Sequence, residues 1–147
     1  MQERFNTFTV LIAKLGRTIR RIKTEEMQEF DLKSTHVSCL YHLYLHGQLT
    51  SKQLADECDE DKAAVSRSLE YLENNGYIYT VKDATRRYKR PLDLTEKGRE
   101  VAARISKKIE GYLSIANQGI SDEDRLVMYK TLSTISENLQ NACEHDE

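Results

Sequence analysis

Residues 49–58, LTSKQLADEC, and residues 61–78, DKAAVSRSLEYLENNGYI, decide the fold between them. Thr50, followed three residues on by Gln53, is a capping box that opens a short helix from Ser51 to about Glu57. A longer helix follows, beginning at Asp59 or Glu60 and stopped by Asn75-Gly76. At about 100° per residue, Val65, Ser68, Leu69 and Leu72 cluster on one side of it. Lys62, Ala63, Ser66, Arg67 and Glu70 cluster opposite. The outward side is therefore small and polar near its start. The acids Asp59, Glu60 and Asp61 complement the helix dipole and supply the cap.

After Gly76 the pattern changes period. YIYTVK (77–82) is rich in β-branched and aromatic residues, and in RPLDLT (90–95) Leu92 and Leu94 alternate with polar neighbours. Two short strands joined by DATRRYKRP (83–91) make a hairpin with a strongly basic tip. Pro91 cannot donate to a ladder, which suits the edge of a small ribbon. A short helix, a tight junction at Cys58-Asp59, a polar-faced helix and a basic hairpin, in that order, read as a winged helix-turn-helix. In that arrangement the polar-faced helix enters the major groove of DNA, where short residues permit close approach and a few hydrogen-bonding side chains reach bases or phosphates. Lys62, Ala63, Ser66 and Arg67 are the candidates there. Arg86 or Arg87 would stand at the hairpin tip, with Lys89 and Arg90 supplying phosphate contacts.

Helices flank this lobe. Upstream, Ser34 caps a helix running to about His46, ended by Gly47. At the N-terminus Phe5, Phe8, Ile12, Leu15, Ile19 and Ile22 recur at alternating spacings of three and four, the pattern of an apolar seam. Downstream, Thr95 caps a helix carrying Val101, Ile105, Ile109, Tyr112 and Leu113, and Gly119 ends that region. Ser121 with Asp124 opens a last helix, where Met128, Leu132, Ile135, Leu139 and Ala142 form a second seam. The expected architecture is mainly α with a small two-stranded β wing: one domain over 1–147, with a DNA-binding lobe at 33–98 and dimerisation helices at 1–31 and 99–147.

Whole-chain charge does not point to nucleic acid. The 147 residues hold 22 Lys and Arg against 24 Asp and Glu, with pI near 6.1. The distribution does. From Lys62 to Arg90 seven cations face three anions, whereas after Gly119 seven acids face Arg125 and Lys130. No apolar run approaches the roughly 18 residues of a membrane span, and no signal-peptide pattern opens the chain, so the expectation is cytoplasmic. Cys39, Cys58 and Cys143 have no CxxC spacing, which argues against a disulfide framework or a zinc ribbon.

Taken in order, LTSKQLADEC, DKAAVSRSLEYLENNGYI, the basic hairpin and LTEKGRE (94–100), with their flanking helices, resemble the MarR family of bacterial transcriptional regulators. The resemblance implies a homodimer whose first, fifth and sixth helices interlock, each subunit placing its winged lobe on half of a near-palindromic DNA operator. It also implies a repressor that responds to a small-molecule effector, with Tyr41, Tyr44 and Tyr112 as candidate lining residues. No cofactor is implied.

Other readings compete. His36, Cys39, His42 and His46 share one helix, and the last three fall within about 60° of one another, so two could hold an ion. The fifth helix offers no histidine to complete such a site, and the site assignment is accordingly no metal. A cysteine-based oxidant sensor is disfavoured because Cys39 adjoins an apolar face and Cys58 neighbours acids, which raise a thiol pKa. A metal- or redox-responsive regulator of the same fold remains an alternative, as does a winged-helix scaffold that binds protein. Catalysis has no motif behind it: there is no phosphate loop, nucleophile elbow or HExxH.

Overall fold

The computed structural model describes residues 2–58, 60–82 and 90–144, with side chains from residue 6 onward. It comprises two compact units, Met1–Lys107 and Lys108–Glu147.

The first unit opens with α1 (Gln2–Arg21). Its seam lies bare on the chain surface, with Ile12, Leu15 and Ile19 at 42%, 58% and 52% exposure. Ile22, expected to continue the seam, instead begins a π-helical turn, Ile22–Glu26, which passes into a 3-10 turn, Gln28–Phe30. The wider turn breaks the 3.6-residue periodicity and redirects the residues beyond it. Met27 and Phe30 consequently enter the core. Asp31 ends the segment in the left-handed region, at φ 52°, a conformation its short polar side chain tolerates better than most.

Helix α2 (Ser34–His46) forms the centre of the lobe. Ser34 is its first helical residue rather than its cap. Lys33 holds that position, its N–H donating to His36 Nδ1 at 3.1 Å. Val37, Cys39, Leu40 and Leu43 are buried along α2, and α3, α4 and β2 all pack on it. Each leucine so buried contributes about 2 kcal/mol of hydrophobic stabilisation.

Helix α3 (Ser51–Cys58) starts with both halves of its capping box formed. The Thr50 N–H donates to Gln53 Oε1 at 2.9 Å, and the Gln53 N–H to Thr50 Oγ1 at 3.2 Å. Helix α4 (Lys62–Asn74) begins later than the sequence suggests, because Asp61 is its N-cap. The Asp61 carbonyl takes the first helical N–H, from Val65 at 3.0 Å, while its side chain makes no cap bond. Asn75 and Gly76 (φ 76°) end α4, and the Tyr77 N–H closes back on the Leu72 carbonyl at 2.9 Å.

Strands β1 (Ile78–Thr80) and β2 (Leu92–Leu94) pair antiparallel, Ile78 opposite Leu94 and Thr80 opposite Leu92. They are shorter than the sequence suggests. Leu92 also exchanges two main-chain hydrogen bonds with Leu49, at 2.8 and 3.3 Å, so β2 is held on both flanks at that point. Pro91 stands just outside the ladder, its carbonyl accepting the Val81 N–H at 2.9 Å.

Helix α5 (Glu96–Ala116) is capped by Thr95, whose Oγ1 accepts the Gly98 N–H at 3.0 Å and donates to the Gly76 carbonyl at 2.6 Å. Arg104 ties α5 to the turn before α2, pairing with Glu29 at 2.9 Å and lying over the Phe30 ring. In the second unit the chain turns at Gly119 (φ 77°) into α6 (Asp122–Glu144), where the Asp124 N–H bonds to Ser121 Oγ at 3.1 Å. None of the residues of α6 is buried. No helix among the described residues is long and apolar enough to cross a membrane.

Candidate nucleic-acid interface

The helical wheel drawn from sequence matches the sides of α4. Val65, Ser68, Leu69 and Leu72 are buried, and Lys62, Ala63, Ser66, Arg67 and Glu70 are exposed. The division follows from packing: α2 and α3 both press on the inward side, leaving the outward side uncovered. Ala63 and Ser66 keep that surface low near the N-terminus of α4, and Lys62 and Arg67 flank it with positive charge. The N-terminal end of a helix adds its own partial positive charge. The outer face near the start of α4 therefore offers cations and short side chains, with Glu70 further along it.

The hairpin rises immediately after this helix. Glu73, at the end of α4, accepts from Thr80 Oγ1 at 3.0 Å, which fixes the base of β1 against α4. Lys97 bonds to the Asn75 carbonyl at 2.8 Å and lies over the Tyr77 ring, securing the turn between them from the α5 side. Asp93 on β2 accepts from Gln48 at 3.3 Å and lies 3.6 Å from Arg99. Lys82 and Arg90, where the chain leaves and re-enters the described hairpin, are both exposed. Arg86, Arg87 and Lys89 lie outside the described residues.

Tyr41 is half-buried on α2 and Tyr44 exposed, while Tyr112 belongs to the second unit. A cleft of about 690 Å³ opens elsewhere in the first unit, lined among others by Lys33, His36, Arg67 and Tyr71. His36 stacks on Tyr71 there at 4.4 Å. Nothing in the sequence marks this cleft, because the π-helical turn that brings Thr24 and Gln28 to its wall has no local signature.

The thiols correct one expectation. Cys58 is not held high by the neighbouring acids. A hydrogen bond from Cys39 holds its thiol below the ordinary value, with Lys23 assisting against burial and the charges of Glu60 and Glu57. Lys23 is steadied by its own bond to Ser38 Oγ at 3.0 Å. The same contact, with burial, pushes Cys39 far up. The pairing joins α2 to the end of α3 and could not be read from residues so far apart in sequence.

A supporting helix, a polar-faced helix and a two-stranded hairpin in this order define a winged helix-turn-helix protein. Residues 30–87 match the model of the MarR family. The MarR family regulator NMB1585 of Neisseria meningitidis has the same fold over 99% of this chain and 97% of its own, with a TM-score of 0.80 at 21% identity. A MarR family transcriptional regulator of Listeria monocytogenes, solved in complex with a 26mer DNA, covers 89% of this chain and 87% of its own, with a TM-score of 0.81 at 22% identity. In sequence, an HTH-type transcriptional regulator of Bacillus cereus is 22% identical over 116 residues, 78% of this chain and 77% of the relative.

Proposed function

We propose that this protein is a homodimeric repressor that binds a near-palindromic operator in double-stranded DNA and releases it in response to a small effector. The outer face of α4 carries the proposal: Lys62, Ala63, Ser66 and Arg67 are all exposed, opposite a fully buried inner face. Inserted in the major groove, Arg67 would read a base edge or clamp a phosphate, and Lys62 would hold the backbone where the helix enters. Arg86 or Arg87 would reach the adjoining minor groove, and Lys89 and Arg90 the phosphates beside it. Two subunits related by a two-fold axis would place their α4 helices about one turn of DNA apart, roughly 34–36 Å. The DNA-bound Listeria relative supports the reading at the level of fold.

The effector would bind near the first helices of the lobe and shift the separation of the two α4 helices, which changes affinity because only one separation matches the operator. Tyr41, Tyr44 and Tyr112 stay candidates for lining it. The cleft beside Arg67 is the alternative location, and an occupant there would touch the base of α4 directly.

Selection from random duplexes at low ionic strength tests the proposal and returns the half-site. Arg67→Ala and Arg87→Ala are each expected to weaken binding at least tenfold. Each lost phosphate contact should also flatten the dependence of log K on log salt by about 0.9. A monomer that ignores every duplex would overturn the proposal, and a variant with unchanged affinity and slope would remove that arginine from the interface.

A further inference from the structure

His42 and His46 stand one turn apart on α2, their rings parallel within 7° and 5.8 Å apart between centroids. Glu57, near the end of α3, points its carboxylate between them. Its Oε2 lies 3.9 Å from His42 Nδ1 and 3.8 Å from His46 Nε2. One ligand atom from each residue falls within 4.8 Å of the others. Among the described residues, His42 Nδ1 is buried and receives no hydrogen bond. A buried imidazole nitrogen without a partner is costly, and a carboxylate at 3.9 Å is too far to satisfy it.

From this cluster we infer that the chain holds a divalent transition-metal ion between α2 and α3, bound by His42 Nδ1, His46 Nε2 and a Glu57 carboxylate oxygen. Two imidazoles and one carboxylate suit zinc, cobalt or nickel and not the all-oxygen preference of magnesium or calcium. In a tetrahedral site with bonds of about 2.1 Å, neighbouring ligand atoms lie about 3.4 Å apart, so the two separations from Glu57 need to close by about half an ångström, and the pair of imidazole nitrogens, within 4.8 Å of each other, by at most about 1.4 Å. His46 and Glu57 are both about half exposed, which leaves a fourth position that a water would fill. The two histidines are legible in the sequence and the third ligand is not, because Glu57 comes from the next helix.

The site would act as a clamp. Helix α3 packs on both α2 and α4, so an ion joining Glu57 to α2 fixes the far end of the helix that supports α4. The site itself does not depend on the DNA reading, and its test uses no DNA. Tag-free protein stripped with a chelator is titrated with Co²⁺, whose tetrahedral complexes absorb visibly. One equivalent per chain should bind with such a band, and equimolar Zn²⁺ should abolish the band. Glu57→Gln and His46→Ala, both at exposed positions and checked for unchanged far-ultraviolet circular dichroism, should each weaken binding at least about tenfold. Cys58→Ser should bind as the unaltered chain does. Absence of the band, unchanged affinity in the Glu57 and His46 variants, or loss of binding in Cys58→Ser would each overturn the proposal.

Discussion

Gly98 lies where the first turn of α5 meets the Tyr77 carbonyl, and any Cβ there would overlap that backbone oxygen. Backbone cannot swing aside as a flexible side chain can, so α5 and the turn after α4 would have to part. Gly98→Ala should destabilise the fold by about 2–3 kcal/mol, read as a lower urea midpoint with little change in slope. The cysteines make a second prediction at this scale. The Cys39 contact and Lys23 favour the Cys58 thiolate, and Cys58 is partly exposed, whereas Cys39 is buried and held protonated. In a Cys143→Ser background, iodoacetamide near neutral pH should label Cys58 well before Cys39, and Lys23→Met should slow that labelling several-fold. Peptide mapping by mass spectrometry distinguishes the two sites.

Among the elements, α2 holds the acid-sensitive point of the lobe. Burial, and then the Lys33 charge, keep His36 below its ordinary value of 6.5. Its Nδ1 also accepts the Lys33 N–H, which requires that nitrogen to be unprotonated. The unfolded chain thus binds more protons than the folded one below that value. The stabilisation is fully present above about pH 6.5 and is lost as pH falls from there through the lower folded value. Melting temperature should therefore drop on acidification across that window. His36→Gln should blunt the drop, which scanning calorimetry at several pH values would measure.

The elements also show what a sequence makes legible. The two sides of α4 were readable because Val65, Ser68, Leu69 and Leu72 recur within one helix, and the Thr50–Gln53 cap because both partners lie three residues apart. The Leu49–Leu92 bridge, the Cys39–Cys58 contact and the approach of Glu57 to His42 join distant parts of the chain, and no local pattern encodes them. The π-helical turn escaped because nothing in IKTEE departs from ordinary helix-forming composition.

For the molecule as a whole, the terminal helices carry apolar surface that the single chain does not use. Leu15 and Ile19 on α1, and Leu126, Val127 and Leu139 on α6, are all more than half exposed. Surface of this kind on two long helices is what the proposed homodimer would bury. Sedimentation should find a dimer at micromolar concentration, with a melting temperature that rises with protein concentration. A Leu15→Glu, Ile19→Glu double variant should sediment as a monomer and melt lower.

The Leu49–Leu92 pairing bears on wear as well as on assembly. Residues 83–89 include Arg86, Arg87 and Lys89, whose peptide bonds trypsin-like proteases cut. Upstream of a cut there, β1 stays gripped by β2. Downstream, β2 is gripped in turn by β1 and by Leu49. A cut between the two strands would thus leave both ends fastened to the same body, and the two pieces of a nicked chain would stay together as one particle, damaged but not unravelled.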